Sequence, residues 1–237
     1  MVILSTYLRI LILLAVVPGI LLFCYIYRLD SIEKEPPALI ARLFLAGALS
    51  TIAAYILERI GMAIVDNVFP RDMALAAAVT EYFVVVAMVE EGGKFFCLRK
   101  ITWRDPNFNY RFDAVVYAVS VGLGFAILEN IEYAFSYGVA TTLVRAVTAV
   151  PAHTIFAIFM GHFYGQAKYN EDLGRYGRRN ADLVIAYLLP VFLHGIYDFV
   201  ASGGGTVMTV LFVVFIVLLD IVAFLQVRRY SRDDTPA

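Results

Sequence analysis

The length of the apolar runs constrains this chain more than any other feature. Residues 3–27 and 205–227 are nearly free of charge over stretches that match or exceed the ~20 residues a helix needs to cross a bilayer. Five further runs, at about 38–58, 74–97, 113–136, 142–167 and 182–201, approach the same length. Alternating patterns are absent, and lipid admits no open sheet edge, so the runs read as helices. Composition agrees: 61% of the 237 residues are hydrophobic and 16% are charged, against about 25% charged in a soluble domain. The expectation is an all-α polytopic bundle of about seven transmembrane helices, one domain over residues 1–237. The first run is too long for a signal sequence and is read as a retained span.

Lysine and arginine placement predicts the orientation. Arg28 and Lys34 follow the first run, Arg99, Lys100, Arg104 and Arg111 the third, and Lys168, Arg175, Arg178 and Arg179 the fifth; Arg228, Arg229 and Arg232 follow the last. Every basic connection falls on one side of a seven-span arrangement. That side is cytoplasmic by rule, leaving the N-terminus outside and the C-terminus inside. No basic tract suits nucleic acid, and the apolar runs make the lipid bilayer the expected partner. Cys24 and Cys97 read as buried free thiols.

Ionisable side chains inside spans are costly and mark function by default. In "AMVEEGGKFFCLRK" Lys94 stands four residues after Glu90 and three after Glu91, within reach of either. One ion pair accounts for one glutamate and leaves the other for chemistry. Gly92 and Gly93 read either as close helix packing or as local unwinding. "GLGFAILENIEYAF" adds Glu129, Asn130 and Glu132: Glu129 is the deeper carboxylate, Glu132 fits the outer interface, and Asn130 is either a helix–helix bridge or an oxyanion donor. "RAVTAVPAHTIFAIFMGHFYG" holds His153, following a Pro151 expected to kink the helix, and His162, which reads as structural. In "LLPVFLHGIYDFV" His194 and Asp198, spaced i, i+4, share a face after Pro190.

Two histidines and several carboxylates within spans suit a divalent metal with N/O ligands, most often zinc. A glutamate beside such an ion can take a proton from water attacking a peptide carbonyl. The same groups can relay protons in a transporter, or belong to a non-catalytic immunity or sensor protein. No internal repeat is visible to favour transport. Depth is a constraint. Glu129 and His194 lie roughly 10 Å from the outer ends of their spans, and His153 roughly 15–18 Å. Counted from Ala74, Glu90 lies roughly 24 Å deep, and only a start near Thr80 raises it to roughly 15 Å. "RDMALAAAVT" is therefore expected to protrude or lie along the surface.

Five motifs together, "YRLDSIEKEPP", "VEEGGK", "GLGFAILENIEY", "PAHTIFAIFMGHFYG" and "LHGIYDF", resemble the PrsW family of bacterial intramembrane proteases, relatives of the CAAX-processing and Abi group. The resemblance covers roughly residues 25–200. It implies a membrane-embedded endopeptidase of the bacterial inner membrane, with its core at about 73–201, making site-1-type cuts in single-span regulators such as anti-sigma factors. It implies Glu90, Glu91, Glu129, His153 and His194 as catalytic groups. Glu129, His153, His194 and Asp198 are the expected metal ligands, with Lys94 and Asn130 in support.

Overall fold

A computed structural model describes residues 2–237. The helices are α1 (Val2–Leu29), α2 (Pro37–Val68), α3 (Ala74–Val79), α4 (Met88–Thr102), α5 (Asp113–Val147), α6 (Ala149–Asp172), α7 (Tyr176–Ser202) and α8 (Gly205–Arg232). A 3₁₀ turn, Arg71–Met73, precedes α3, and a π-helical stretch, Thr80–Ala87, joins α3 to α4. There is no named strand among the described residues; one isolated bridge pairs Tyr110 with Pro236. Six stretches are long and apolar enough to cross a membrane; the fourth, Asp113–Asp172, contains both α5 and α6.

The first half of α5 is the core. Every residue from Phe112 to Ala126 is buried, as expected of a helix apolar on all sides. Small residues let its neighbours approach at backbone distance. A Cβ placed on Gly47 of α2 would stand 2.0 Å from Val121 O, and one on Gly124 would stand 2.1 Å from Phe44 O. On the other flank, a Cβ on Gly161 of α6 would meet Ala114 O at 2.5 Å. Three helices thus converge on a stretch whose side chains are mostly small or β-branched.

Three boundaries differ from the sequence expectation. Helix α2 runs ten residues past Glu58, because charged residues beyond the apolar run continue the helix instead of ending it. Helix α5 runs past 136 but breaks at Gly138, whose φ of 80° and ψ of −169° lie in a region essentially closed to other residues. Helix α6 starts at Ala149, seven residues later than 142. Pro151 therefore sits in its first turn, where the missing N–H has no intrahelical partner to lose. It opens α6 and does not kink it, which corrects the kink expected there.

The basic connections gather at one end of the bundle. Asn109 Nδ2 donates to Glu33 Oε2 across 3.0 Å, joining the 103–112 connection to the α1–α2 loop. The C-terminal tail pairs with the same connection through Arg111 N to Thr235 O (3.1 Å) and Ala237 N to Asn109 O (2.8 Å). Arg111 also reaches Gln166 of α6, at 3.3 Å. Both cysteines are free as expected, but Cys24 is exposed on the outside of the bundle and Cys97 is half-buried, which corrects the expectation of two buried thiols.

Candidate active site

Helix α4 supplies the first three groups. Glu90 and Glu91 point about 100° apart around the helix, yet Lys94 reaches both, at 3.1 Å from Glu90 Oε2 and 2.8 Å from Glu91 Oε1. It serves two carboxylates where the spacing suggested one. All three side chains are buried, and the ammonium also lies over the Phe125 ring, 3.9 Å from its centroid. Helix α4 is unbroken across Gly92 and Gly93; the first faces Tyr187 of α7 and the second Ser50 of α2, so both are packing positions. The irregular backbone lies one turn earlier, in the π stretch. Its wider turns shift the facing of the residues that follow, Glu90 among them.

The histidines close on this group from α6 and α7. His153 Nδ1 is 3.1 Å from Lys94 Nζ. An ammonium only donates, so Nδ1 accepts and the proton of a neutral ring sits on Nε2. That Nε2 faces Glu129 Oε2 at 3.0 Å. His194 Nδ1 is 2.9 Å from Glu91 Oε1, where an ionised carboxylate accepts and leaves the lone pair on Nε2. His194 Nε2 in turn has Asp198 Oδ2 at 3.3 Å and Glu90 Oε2 at 3.9 Å. The two rings stand edge to face, with centroids 5.1 Å apart. Glu90 and His194, far apart in sequence, are neighbours.

Asn130 is fully buried, and its amide donates to Ala15 O of α1 at 3.3 Å. One position from Glu129 turns a side chain about 100°, and Asn130 bridges helices, one of the two roles expected for it. Glu129 is held by Arg145, at 2.6 Å, as well as by His153. It orients His153 from outside the cluster and is not one of the four residues whose ligand atoms come together. Those four are Glu90, Glu91, His153 and His194, with one ligand atom each within 4.8 Å of the others. Glu132 also lines the cavity described below. His162 keeps its structural reading, stacked on Tyr230 at 3.7 Å.

Arg145, Glu58 and Tyr133 were not anticipated. Arg145 stacks on Tyr133, its guanidinium 3.7 Å from the ring centroid. It reaches Glu129 because the break at Gly138 folds residues 139–147 back over the site. An arginine at the edge of an apolar run gives no hint of that. Glu58 stands where the apolar run of α2 ends, so only the continuation of the helix to Val68 shows that it faces the bundle.

These groups line a cavity of about 480 Å³. Glu90, Glu129, His153, His194, Asp198, Glu58, Arg145 and Tyr133 face it; Glu91 and Lys94 do not. The donor set is of the kind that holds a divalent ion, imidazole and buried carboxylate: the Lys94 ammonium takes the Nδ1 lone pair of His153, which leaves His194 Nε2 and the carboxylates beside it as the open donors. Asp198 Oδ2 is buried beside His194 Nε2 without a hydrogen-bond partner, an unmet demand for positive charge. The residues fit a metal.

Comparison with known proteins bears on the family of the chain. The profile of the PrsW family intramembrane metalloproteases matches residues 35–222. Protease PrsW of Shouchella clausii is 33% identical over 94% of this chain and 97% of its own length. Protease PrsW of Oceanobacillus iheyensis is 34% identical, covering 92% and 94%; that of Bacillus subtilis is 31% identical, covering 79% and 81%. No solved structure matches. The match over residues 35–222 and the relatives that share about a third of the sequence over most of the chain place it in the PrsW family of intramembrane metalloproteases.

Proposed function

We propose that Glu90 is the general base of peptide-bond hydrolysis and that Glu91 organises the site behind it. The observation that carries this division is the cavity wall: Glu90 opens onto the space a substrate would enter, whereas Glu91 is sealed beneath it, bound to Lys94 and His194. In this reading a water beside Glu90 gives up a proton as its oxygen attacks the scissile carbonyl. Glu90 then passes that proton to the departing amine. Lys94 pairs with both carboxylates, and Glu129, braced by Arg145, fixes the His153 ring. His194 and Asp198 would hold a divalent ion such as zinc, joined by His153 where Lys94 gives up its Nδ1, and the ion when bound would polarise the carbonyl and the attacking water. The core at 73–201 is then extended by Glu58 of α2.

The substrate we propose is a single-span membrane protein, cut at or near the outer face as in site-1 cleavage of an anti-sigma factor. The basic end of the bundle would lie in the cytoplasm, with seven crossings of a bacterial inner membrane, the N-terminus outside and the C-terminus inside. Arg71–Val79 would lie at the outer surface, where Met73, Leu75 and Val79 are exposed.

The test is cleavage of a single-span test protein by purified enzyme in liposomes. Glu90→Gln should lower the rate by about 10²–10⁴-fold in a protein that still folds. A chelator should stop the parent enzyme and zinc should restore it. Undiminished cleavage by Glu90→Gln would end the assignment of the base.

A further inference from the structure

The segment Tyr27–Pro37 takes no part in the site above, yet the fold gives it a place of its own. It packs on the first turns of α5, at the end of the bundle that also holds the C-terminal tail. Three carboxylates meet there. Asp30, Glu35 and Asp113 each offer an oxygen within 4.8 Å of the others, and none is more than 2% exposed.

Their protein partners fall short of three buried charges. Glu35 Oε2 accepts from the Tyr117 hydroxyl. Asp113 Oδ2 accepts from the backbone N–H of Asn109 and Tyr110, at 3.0 and 2.6 Å. Asp30 Oδ2 and Asp113 Oδ1 are buried with no donor at all. Lys34, in the same loop, turns its ammonium to the carbonyls of Tyr27 and Asp30 at the end of α1. Among the described residues no lysine, arginine or histidine nitrogen comes within 4.0 Å of any of the three carboxylates. Burial pushes Glu35 up to about 8 and Asp30 up to about 6, the mark of carboxylates short of positive charge.

We propose that Asp30, Glu35 and Asp113 bind a hard divalent cation, Mg²⁺ or Ca²⁺, that fastens the α1–α2 loop to the start of α5. The donors are all oxygen, which suits these ions and separates this site from the histidine-bearing one. Two of those oxygens, on different segments of chain, are buried and unpartnered. An ion is the simplest group that satisfies both and joins the segments. Helix α5 then carries a cation tie at its first residue and Glu129 sixteen residues on, about 24 Å away. The tie would steady the helix that bears the active-site carboxylate.

The experiment uses the full chain in detergent with His153→Ala and His194→Ala, so that the active site contributes no imidazole. After chelator treatment, Mn²⁺ binding is followed by electron paramagnetic resonance. One Mn²⁺ should bind, be displaced by Mg²⁺ or Ca²⁺, and bind at least about tenfold more weakly after Asp30→Asn or Glu35→Gln. The melting temperature should rise saturably with Mg²⁺ or Ca²⁺ only where Asp30 and Glu35 are intact. Glu35→Gln keeps an acceptor for Tyr117, which gives a second folded variant should Asp30→Asn fold poorly. Absence of Mn²⁺ binding, or binding untouched by both substitutions, would overturn the proposal and leave protons as the neutralising species.

Discussion

Glu90 and Glu91 are adjacent in sequence and differ in everything their surroundings decide. Glu91 is bound on both sides, by Lys94 and by His194. Removing its charge leaves a buried ammonium with one carboxylate fewer, and breaking a buried pair from one side costs about 3–5 kcal/mol. Both substitutions cost Lys94 a partner, but Glu91→Gln also weakens the bond to His194, so it should lose cleavage and more thermal stability than Glu90→Gln. Melting curves of the two variants in the same detergent decide it, and equal stability would remove the distinction between base and organiser. The sequence showed that one glutamate was surplus to a single ion pair. It did not show that Lys94 contacts both, because that depends on His153 arriving from α6 to press the ammonium into place.

At the scale of elements, the active site rests on two departures from regular helix. The π stretch Thr80–Ala87 sets the facing of Glu90. Irregular turns of this kind recur at functional sites. The break at Gly138 lets residues 139–147 fold back and deliver Arg145 to Glu129. Any side chain at Gly138 is strained, at about 1–3 kcal/mol, although nothing nearer than 3.5 Å crowds the position. Gly138→Ala should lower the melting temperature modestly and cut cleavage through a displaced Arg145. Arg145→Lys in the parent should share the loss of cleavage without the backbone strain. Full activity in Gly138→Ala would mean that the fold-back does not depend on that break. Helix existence was legible from apolar length; these departures were not, since Thr80–Ala87 is as apolar as any neighbouring run.

For the whole molecule, the gathering of the α1–α2 loop, the 103–112 connection, the end of α6 and the C-terminal tail at one end predicts a single sidedness. Cysteines introduced at Ser231 and Asn107 should be shielded from a membrane-impermeant thiol reagent in intact cells, and cysteines at Arg71 and Gly204 should react. Reaction of the first pair would reverse the proposed orientation. The helical class, the membrane environment and most of the ionisable site residues followed from sequence alone, because charge inside an apolar run is too costly to be incidental. Which residues turn inward together did not follow. Glu129 is held by Arg145 as well as by His153, Asn130 reaches Ala15 of α1, and Arg145 and Glu58 line the cavity. Each placement traces to rotation about a helix axis or to a break in one. Apolar periodicity specifies that a helix exists, but the facing of its rare polar groups is set by backbone approach at Gly47, Gly124 and Gly161 and by the turn at Gly138.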